Sequence, residues 1–375
     1  MPSETTQPAG VLSRPTTVEE VSDVLRAASA AGRTVLPVGN RCTVDWLPAP
    51  DADEVLSLRA MDAVLEHSAG DLVVHVQAGA LLSDVQAAVA GAGQQLALST
   101  PLDGVTIGGL IAADLSGPGR YLYGTVRDLI IGTTSVRGDG VVAHSGGKVV
   151  KNVAGYDLGK LYTGSHGTLG VITDAWFRLH PVPESTRWVV AEVGDAAAVG
   201  HLTSGVRGSQ TAPTAIEVRS GDGDSYQVAV QLDGVAAGLG TRADTVAALI
   251  GGTITDTKPD RWGTWPGDEV LLALTCSPAA LQDVLSALPA VSVTGSAVGV
   301  LRVGATLAQA TQVLAAARAV CARHHGSATV LRAPAGHDLD VWGPSDPALR
   351  TLMRRVKDEF DPTHTLAPGR LLGGI

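Results

Sequence analysis

The sequence predicts an α+β protein of two main domains, and three observations carry that expectation. At about 150 residues per domain, a chain of 375 residues is too long for one. Its first half mixes short β-rich runs with amphipathic helical stretches, without a regular β–α alternation. Its second half carries a strand–helix–hairpin–helix pattern twice, which suits an antiparallel sheet with helices on one face. Apolar residues make up 45% of the chain and aromatic ones only 3%, so the core must be built from Ala, Val, Leu and Ile.

The elements follow in order. Met1 to Pro15 is polar and unpatterned, and a disordered start is expected. Thr17-Val18-Glu19-Glu20 reads as a capping box, and Val21, Val24, Leu25 and Ala28 follow at helical spacing. A helix over Thr17 to Ala31, stopped by Gly32, is predicted. The apolar run Thr34 to Val38 is a strand leading into the loop Gly39 to Trp46, a common ligand position. Strands at Glu54 to Leu58 and Leu72 to Gln77 and a helix at Leu82 to Ala90 come next. From Thr100 to Ile172 the glycines fall in clusters between apolar runs, a sign of tight backbone geometry. Within that stretch Leu129 to Val136 is strand-like, and Val171, Ala175, Phe177 and Leu179 share one face of a further strand. The clusters stop around Pro181 to Thr186, which places a boundary near Glu184.

Beyond it, a strand (Trp188 to Val193), a helix (Ala196 to Arg207), a hairpin turning at Gly221-Asp222-Gly223-Asp224 and a helix (Arg242 to Ile250) form one unit. A strand (Glu269 to Thr275), a helix (Pro278 to Leu288), a hairpin turning near Gly295, a helix (Leu307 to His324) and a closing strand (Ala328 to Arg332) form the second, which suggests an internal duplication. Pro347 to Phe360 reads as a final helix, followed by an extended tail. The expected domains are residues 1–184, 185–340, and a tail of 341–375 returning to the first.

Composition excludes some functions. Lys and Arg total 27 against 37 Asp and Glu, a net charge of −10 and the opposite of a nucleic-acid footprint. Cys42, Cys276 and Cys321 form no CxxC pair, so no Cys-spaced zinc or iron–sulfur site is proposed, and a reducing compartment is expected. The N-terminus lacks a signal-peptide pattern, which points to the cytoplasm. The uncharged stretch Val284 to Leu301 is interrupted by Pro289, Gly295 and Gly299, and reads as a strand hairpin rather than a membrane span.

Short motifs need their context. Gly138-Asp139-Gly140-Val141-Val142-Ala143 has the letters of a dinucleotide fingerprint, but β-rich residues stand where the helix should begin, so Arg137 to Gly140 reads as a hairpin turn. Gly146-Gly147-Lys148 is followed by Val rather than Ser or Thr, unlike a phosphate loop. Ser145-Gly146-Gly147-Lys148 has no S-D-N or K-T-G companion for serine acyl transfer. His324-His325 lacks a spaced acidic partner for a metal. The remaining glycine loops could converge on a phosphate-bearing ligand, because close-approaching main-chain amides, including those of a helix start just after Gly109, bind anions without needing a cation.

At these residues the order becomes familiar. Pro37-Val38-Gly39, Thr106-Ile107-Gly108-Gly109, Ser116-Gly117, Tyr123 to Asp128 and Gly164-Ser165-His166-Gly167-Thr168-Leu169-Gly170-Val171-Ile172 resemble the flavin-binding (PCMH-type) domain of the vanillyl-alcohol oxidase and p-cresol methylhydroxylase superfamily. The long string Ser145 to Asp157, with Gly155-Tyr156-Asp157 at its end, resembles the FAD-binding subunit of bacterial glycolate oxidase, as do Phe360-Asp361-Pro362 and Pro368-Gly369-Arg370. The resemblance implies two α+β subdomains with FAD between them, followed by a smaller α+β domain. It implies cofactor contacts at Pro37, Val38, Gly39, Asn40, Arg41, Cys42 and Thr43; at Pro101, Thr106, Ile107, Gly108, Gly109, Ala112 and Asp114; at Ser116, Gly117, Gly124 and Asp128; and at Gly167, Val171 and Ile172. It further implies oxidation of a small 2-hydroxy acid, glycolate to glyoxylate, beside a second flavoprotein subunit and an iron–sulfur subunit.

The sequence departs from that pattern in the first loop, where Asn40, Arg41 and Cys42 replace small residues and would crowd a diphosphate, while Arg41 brings a guanidinium able to pair with it. Asp114 stands where an uncharged residue is usual, unfavourable beside a cofactor unless paired or turned away. With no His in the first loop, FAD is expected to be non-covalent, although Cys42 is chemically able to form a thioether. The catalytic residues are not readable; Arg370, Lys148, Lys151, Tyr156 and Arg261 are the candidates. The rival expectation is a structural or electron-passing subunit whose loop no longer holds flavin tightly. A nicotinamide-dependent dehydrogenase ranks third, because the only fingerprint sits on a hairpin.

Overall fold

The structure, a computed structural model, describes residues 11–46, 48, 52–148, 155–220 and 225–375. The chain divides into two compact units. The first comprises Met1–Ser116, Gly124–Val182 and Ser345–Ile375, and the second Gly117–Tyr123 and Pro183–Pro344.

The first unit holds two sheets. β1 (Val11–Ser13), β2 (Val35–Val38) and β3 (Glu54–Ser57) make a three-stranded parallel sheet in the order β1-β3-β2. The C-terminal tail lies along its open edge: Val35 N–H donates to Thr365 O at 2.7 Å and Ala367 N–H to Val35 O at 2.9 Å. β4 (Val64–Ser68), β5 (Val73–Gln77), β7 (Ile130–Val136), β8 (Val142–Gly146) and β9 (Val171–Arg178) make a five-stranded antiparallel sheet in the order β4-β5-β9-β7-β8, and β6 (Gln94–Gln95) pairs with β10 (His180–Pro181). Val171, Ala175, Phe177 and Leu179 are all buried, as their shared face requires.

Around these sheets stand α1 (Val18–Ala30), α2 (Leu82–Ala90), α3 (Ile107–Ala112), α5 (Val126–Leu129), α6 (Leu158–Tyr162) and α11 (Pro347–Phe360), while α4 (Arg120–Tyr123) belongs to the second unit. α1 buries Val21, Leu25 and Ala28, and its Thr17 cap accepts from Glu20 N–H at 3.2 Å. The Glu20 carboxylate reaches Thr16 N–H at 2.6 Å, one residue before the expected partner.

The second unit contains β11 (Ser185–Val193), β12 (Ala215–Ser220), β13 (Tyr226–Gly234), β14 (Thr253–Thr255), β15 (Val270–Thr275), β16 (Ser292–Ser296), β17 (Val300–Ala305) and β18 (Ser327–Arg332). They form one antiparallel sheet in the order β14-β11-β13-β12-β16-β17-β15-β18. The order β14-β11-β13-β12 has the same pattern as β18-β15-β17-β16, and β12 joins β16 at the centre. α7 (Ala196–Gly208), α8 (Ala236–Ile250), α9 (Leu281–Ala287) and α10 (Leu307–Arg323) fill the positions between corresponding strands. Val218, Val230, Leu272 and Val303 from the sheet and Val199, Val246, Leu285 and Val313 from the helices pack in one apolar core.

Several local expectations are corrected. Val11–Ser13 is a strand within the stretch expected to lack order, held by edge pairing that no local pattern announces. α3 begins at Ile107 rather than after Gly109, because the Thr106 hydroxyl caps it by accepting from Gly109 N–H at 3.2 Å. Gly295 lies inside β16 opposite Leu301, and the hairpin turns at Ala297–Gly299 instead. The stretch Val284 to Leu301 opens with the end of α9 before that hairpin. α8 starts six residues early, at Ala236. The turn at Gly221–Asp224 and the core of the Ser145 to Asp157 string lie outside the described residues.

Candidate functional site

A cleft of about 830 Å³, open to solvent, lies wholly within the first unit. Four segments far apart in sequence build it: the loop after β2 (Pro37–Val44), the start of α3 (Val105–Ala113), the turn before β9 (Ser165–Ile172) and Arg370 in the tail, with Leu58 and Ala78 completing its wall. Its mix of apolar wall and few polar groups suits a small-molecule cofactor.

The first loop is shaped by its side chains. Asn40 Nδ2 donates to Gly104 O at 3.1 Å, and the Cys42 thiol to Asp103 O at 3.2 Å, so both side chains are spent on the neighbouring turn. The expected crowding by three side chains is therefore reduced to Arg41. Arg41 holds a left-handed backbone, φ 60°, a conformation costly for any residue with a Cβ, and its guanidinium makes no hydrogen bond or ion pair among the described residues. Gly39 is required by contact: a Cβ there would overlap the Thr106 hydroxyl.

The α3 start does not supply the free amides expected of it. Ile107 N–H donates to Ala80 O at 2.9 Å, Gly108 N–H to Ala78 O at 2.7 Å, and Gly109 N–H to the Thr106 cap. These bonds dock the helix on the chain after β5. The glycines allow that close approach, since a Cβ on Gly108 would stand 3.0 Å from Ala78 Cβ.

The third wall carries two groups of interest. Ser165 is 4% exposed and its hydroxyl has no partner among the described residues. His166, also left-handed at φ 52°, is lowered to about 4 by burial and then by the charge of Arg370, so its imidazole is neutral at physiological pH.

Arg370 closes the site. It is 4% exposed, and its Nη atoms donate to Thr43 O at 2.8 Å, Val44 O at 3.3 Å and Trp46 O at 3.1 Å, while Nε has no partner. Burial pulls this guanidinium down to about 10 against the pull of Asp45. The tail is pinned by a buried pair: Lys357 Nζ donates to Asp361 Oδ2 at 2.6 Å, Thr168 O at 2.7 Å and Leu366 O at 2.8 Å, and Asp361 accepts from Thr365 and Leu366 N–H. One cation thus ties α11, the tail and the Ser165–Ile172 turn together.

Of the sequence-expected contacts, Pro37 to Thr43, Thr106, Gly108, Gly109, Ala112, Gly167, Val171 and Ile172 line the cleft. The others fall elsewhere. Ile107 is fully buried in the core. Gly124 and Asp128 form a turn in which Asp128 accepts from Thr125 N–H at 2.8 Å, and Ser116 Oγ accepts from Val126 N–H. Pro101 and Asp114 do not line the cleft, and Gly117 belongs to the second unit. Ser165, His166, Gly170 and Ala78 were missed as individual contacts; the first three lie inside a quoted motif, and Ala78 follows a strand end. Among the catalytic candidates, Lys148 is exposed and paired with Glu66 at 2.6 Å, Tyr156 is 90% exposed, Arg261 lies in the second unit and Lys151 lies outside the described residues. Lys148, Tyr156 and Arg261 do not line the cleft; Arg370 does.

Comparison with known proteins identifies the domain. Residues 9–146 match the family FAD_binding_4, an FAD binding domain of the PCMH type. A segment of 117 residues, 31% of the chain, is 39% identical to the glycolate oxidase subunit GlcE of Escherichia coli (strain K12), over 33% of that protein. Similar segments, 30% and 31% of the chain, are 38% identical to glycolate oxidase subunit GlcD of Bacillus subtilis (strain 168) and to a mitochondrial D-lactate dehydrogenase [cytochrome] of Arabidopsis thaliana, over 24% and 22% of those proteins. The matches therefore span a third or less of these relatives. A solved alkyldihydroxyacetonephosphate synthase superposes with a TM-score of 0.71 over 96% of this chain and 77% of its own, at 17% identity, which establishes a shared fold. The cofactor of this domain is FAD. The cleft fits an acceptor-rich group of that kind: Arg41, Arg370 and Ser165, whose buried hydroxyl has no partner among the described residues, line it, and no carboxylate does among the described residues.

Proposed function

Starting from a PCMH-type FAD binding domain, we propose that this chain is an FAD-dependent oxidoreductase subunit of a glycolate oxidase-like assembly, oxidising a small 2-hydroxy acid such as glycolate to glyoxylate. The observation that carries it is the cleft, lined by two arginines and no carboxylate among the described residues, in a chain similar to glycolate oxidase subunits and a D-lactate dehydrogenase. When bound, FAD takes up the two electrons and protons that leave the hydroxy acid as its C–H and O–H bonds give way to a carbonyl. Residues Gly39–Thr43 and Arg370 would hold the diphosphate end. Val38, Leu58, Val105 and Ile172 would exclude water from the ring systems. FAD is held without a covalent bond, in keeping with a first loop that lacks His and a Cys42 thiol turned to Asp103 O. Electrons then pass to partner chains, a second flavoprotein and an iron–sulfur protein, in the cytoplasm.

A second reading has one observation in its favour, the Asn40-Arg41-Cys42 sequence in the first loop: a structural subunit that holds flavin weakly, with the chemistry on a partner. The visible spectrum of the purified chain separates the two. Flavin absorbance that acid precipitation releases into the supernatant, and that glycolate or D-lactate bleaches without oxygen, supports the first. A chain that stays colourless after incubation with FAD supports the second, and pigment retained by the precipitate refutes non-covalent binding.

A further inference from the structure

In a chain of net charge −10, two arginines line a cleft with no acidic lining among the described residues. The first-turn amides of α3, the ordinary means of neutralising a phosphate, are already bonded to Ala80, Ala78 and Thr106. Asn40 and Cys42 are committed to the Asp103–Gly104 turn, which leaves Arg41 as the charged first-loop side chain lining the cleft that no described partner holds. In the tail, Arg370 is buried with no ion pair in contact among the described residues: carbonyl oxygens accept its Nη hydrogen bonds, and Asp45, acting through space, answers only part of its charge.

We propose that Arg41 and Arg370 act as a two-point clamp on the cofactor diphosphate, supplying with side-chain charge what the α3 amides cannot. The proposal rests on the reading that the cleft holds FAD. Arg41 projects from the first loop, and Arg370 is positioned by the Lys357–Asp361 pair and by its bonds to Thr43, Val44 and Trp46. Guanidinium suits the task, because it stays charged when half-desolvated and pairs with phosphate through two oxygens at once. The clamp explains why the left-handed position 41 holds an arginine rather than the glycine its backbone favours.

The test titrates flavin-free chain with FAD and with riboflavin, which lacks phosphate, at low and high salt, by flavin fluorescence. FAD binding should weaken with salt while riboflavin binding does not. Arg41→Gly should raise the Kd for FAD by about tenfold or more, leave riboflavin affinity unchanged, and raise the melting temperature of the flavin-free chain by removing the strained residue. Arg370→Lys should weaken FAD more than riboflavin as well. Arg41→Gly binding FAD as tightly as the parent, or losing FAD and riboflavin equally, overturns the clamp and leaves the cofactor reading standing. A parent chain that binds neither flavin overturns the cofactor reading and the clamp with it.

Discussion

Arg219 in the second unit and Arg370 in the first are buried to a similar degree, 7% and 4% exposed, yet their charges are answered differently. Arg219 Nη2 donates to the Glu217 carboxylate at 2.9 Å and Nη1 to Thr294 Oγ1 at 3.1 Å, with further bonds to the carbonyls of Arg261 and Thr264. Glu217 also accepts from Gly263 N–H at 2.8 Å, and burial pushes its carboxyl up against the pull of Arg219. This is a closed pair that folds a loop onto the sheet. Arg370 bonds only carbonyls, with Asp45 acting on it through space, and it lines an open cleft. Both leave Nε without a partner, so an unbonded Nε does not mark a ligand site. What differs is the contact: Asp45 acts on Arg370 only through space and no carboxylate bonds it, so part of its charge is left for a ligand to answer.

The largest effect should come from breaking the closed pair. Glu217→Ala strands Arg219 and should cost about 3–5 kcal/mol of stability, read as a lower urea midpoint. A loss under 1 kcal/mol would mean water already compensates the pair. Asp361→Ala should cost a similar amount, about 3–5 kcal/mol, by stranding Lys357, which is 0% exposed. It should also weaken FAD binding by freeing the tail that carries Arg370, whereas Glu217→Ala should not. Equal flavin loss in both variants would erase the distinction between the two arginines.

Next in size, saturating FAD at about 100 times its Kd should stabilise the parent chain by about 2.7 kcal/mol, measured as a higher urea midpoint, because only the folded chain offers the cleft. Stability should also depend on pH through His166. Its pKa falls from 6.5 unfolded to about 4 folded, so between these values the unfolded chain binds the extra proton. The contribution is complete above pH 6.5 and is lost as pH falls toward 4, with a slope up to about 1.4 kcal/mol per pH unit. His166→Gln should flatten that slope in urea titrations at several pH values; an unchanged slope would assign it to other groups. Smallest, Thr17→Ala removes the α1 cap and should cost about 1 kcal/mol while leaving flavin affinity alone.

Much of the fold was legible because apolar spacing is a local property. α2 and α11 begin and end where Leu82 to Ala90 and Pro347 to Phe360 place them, since periodicity, a Gly91 stop and an Asp346-Pro347 start are all written within a few residues. β1 and β14 were not legible: three residues each, they exist through pairing with β3 and β11. The site was legible as segments and not as contacts. Glycine clusters marked the loops, but which amides remained free depended on Ala78 and Ala80, brought beneath α3 by the five-stranded sheet.

By itself the sequence determined the α+β class, the glycine loops of a flavin domain and the acidic charge balance, because composition and short-range pattern carry each of them. Only the tertiary structure decided that Asn40 and Cys42 turn away, that the α3 amides are spent, and that Arg370 and Arg41 line one cleft. The physical reason is that hydrogen-bond satisfaction and charge compensation are settled between groups hundreds of residues apart, and a donor's availability depends on everything packed against it.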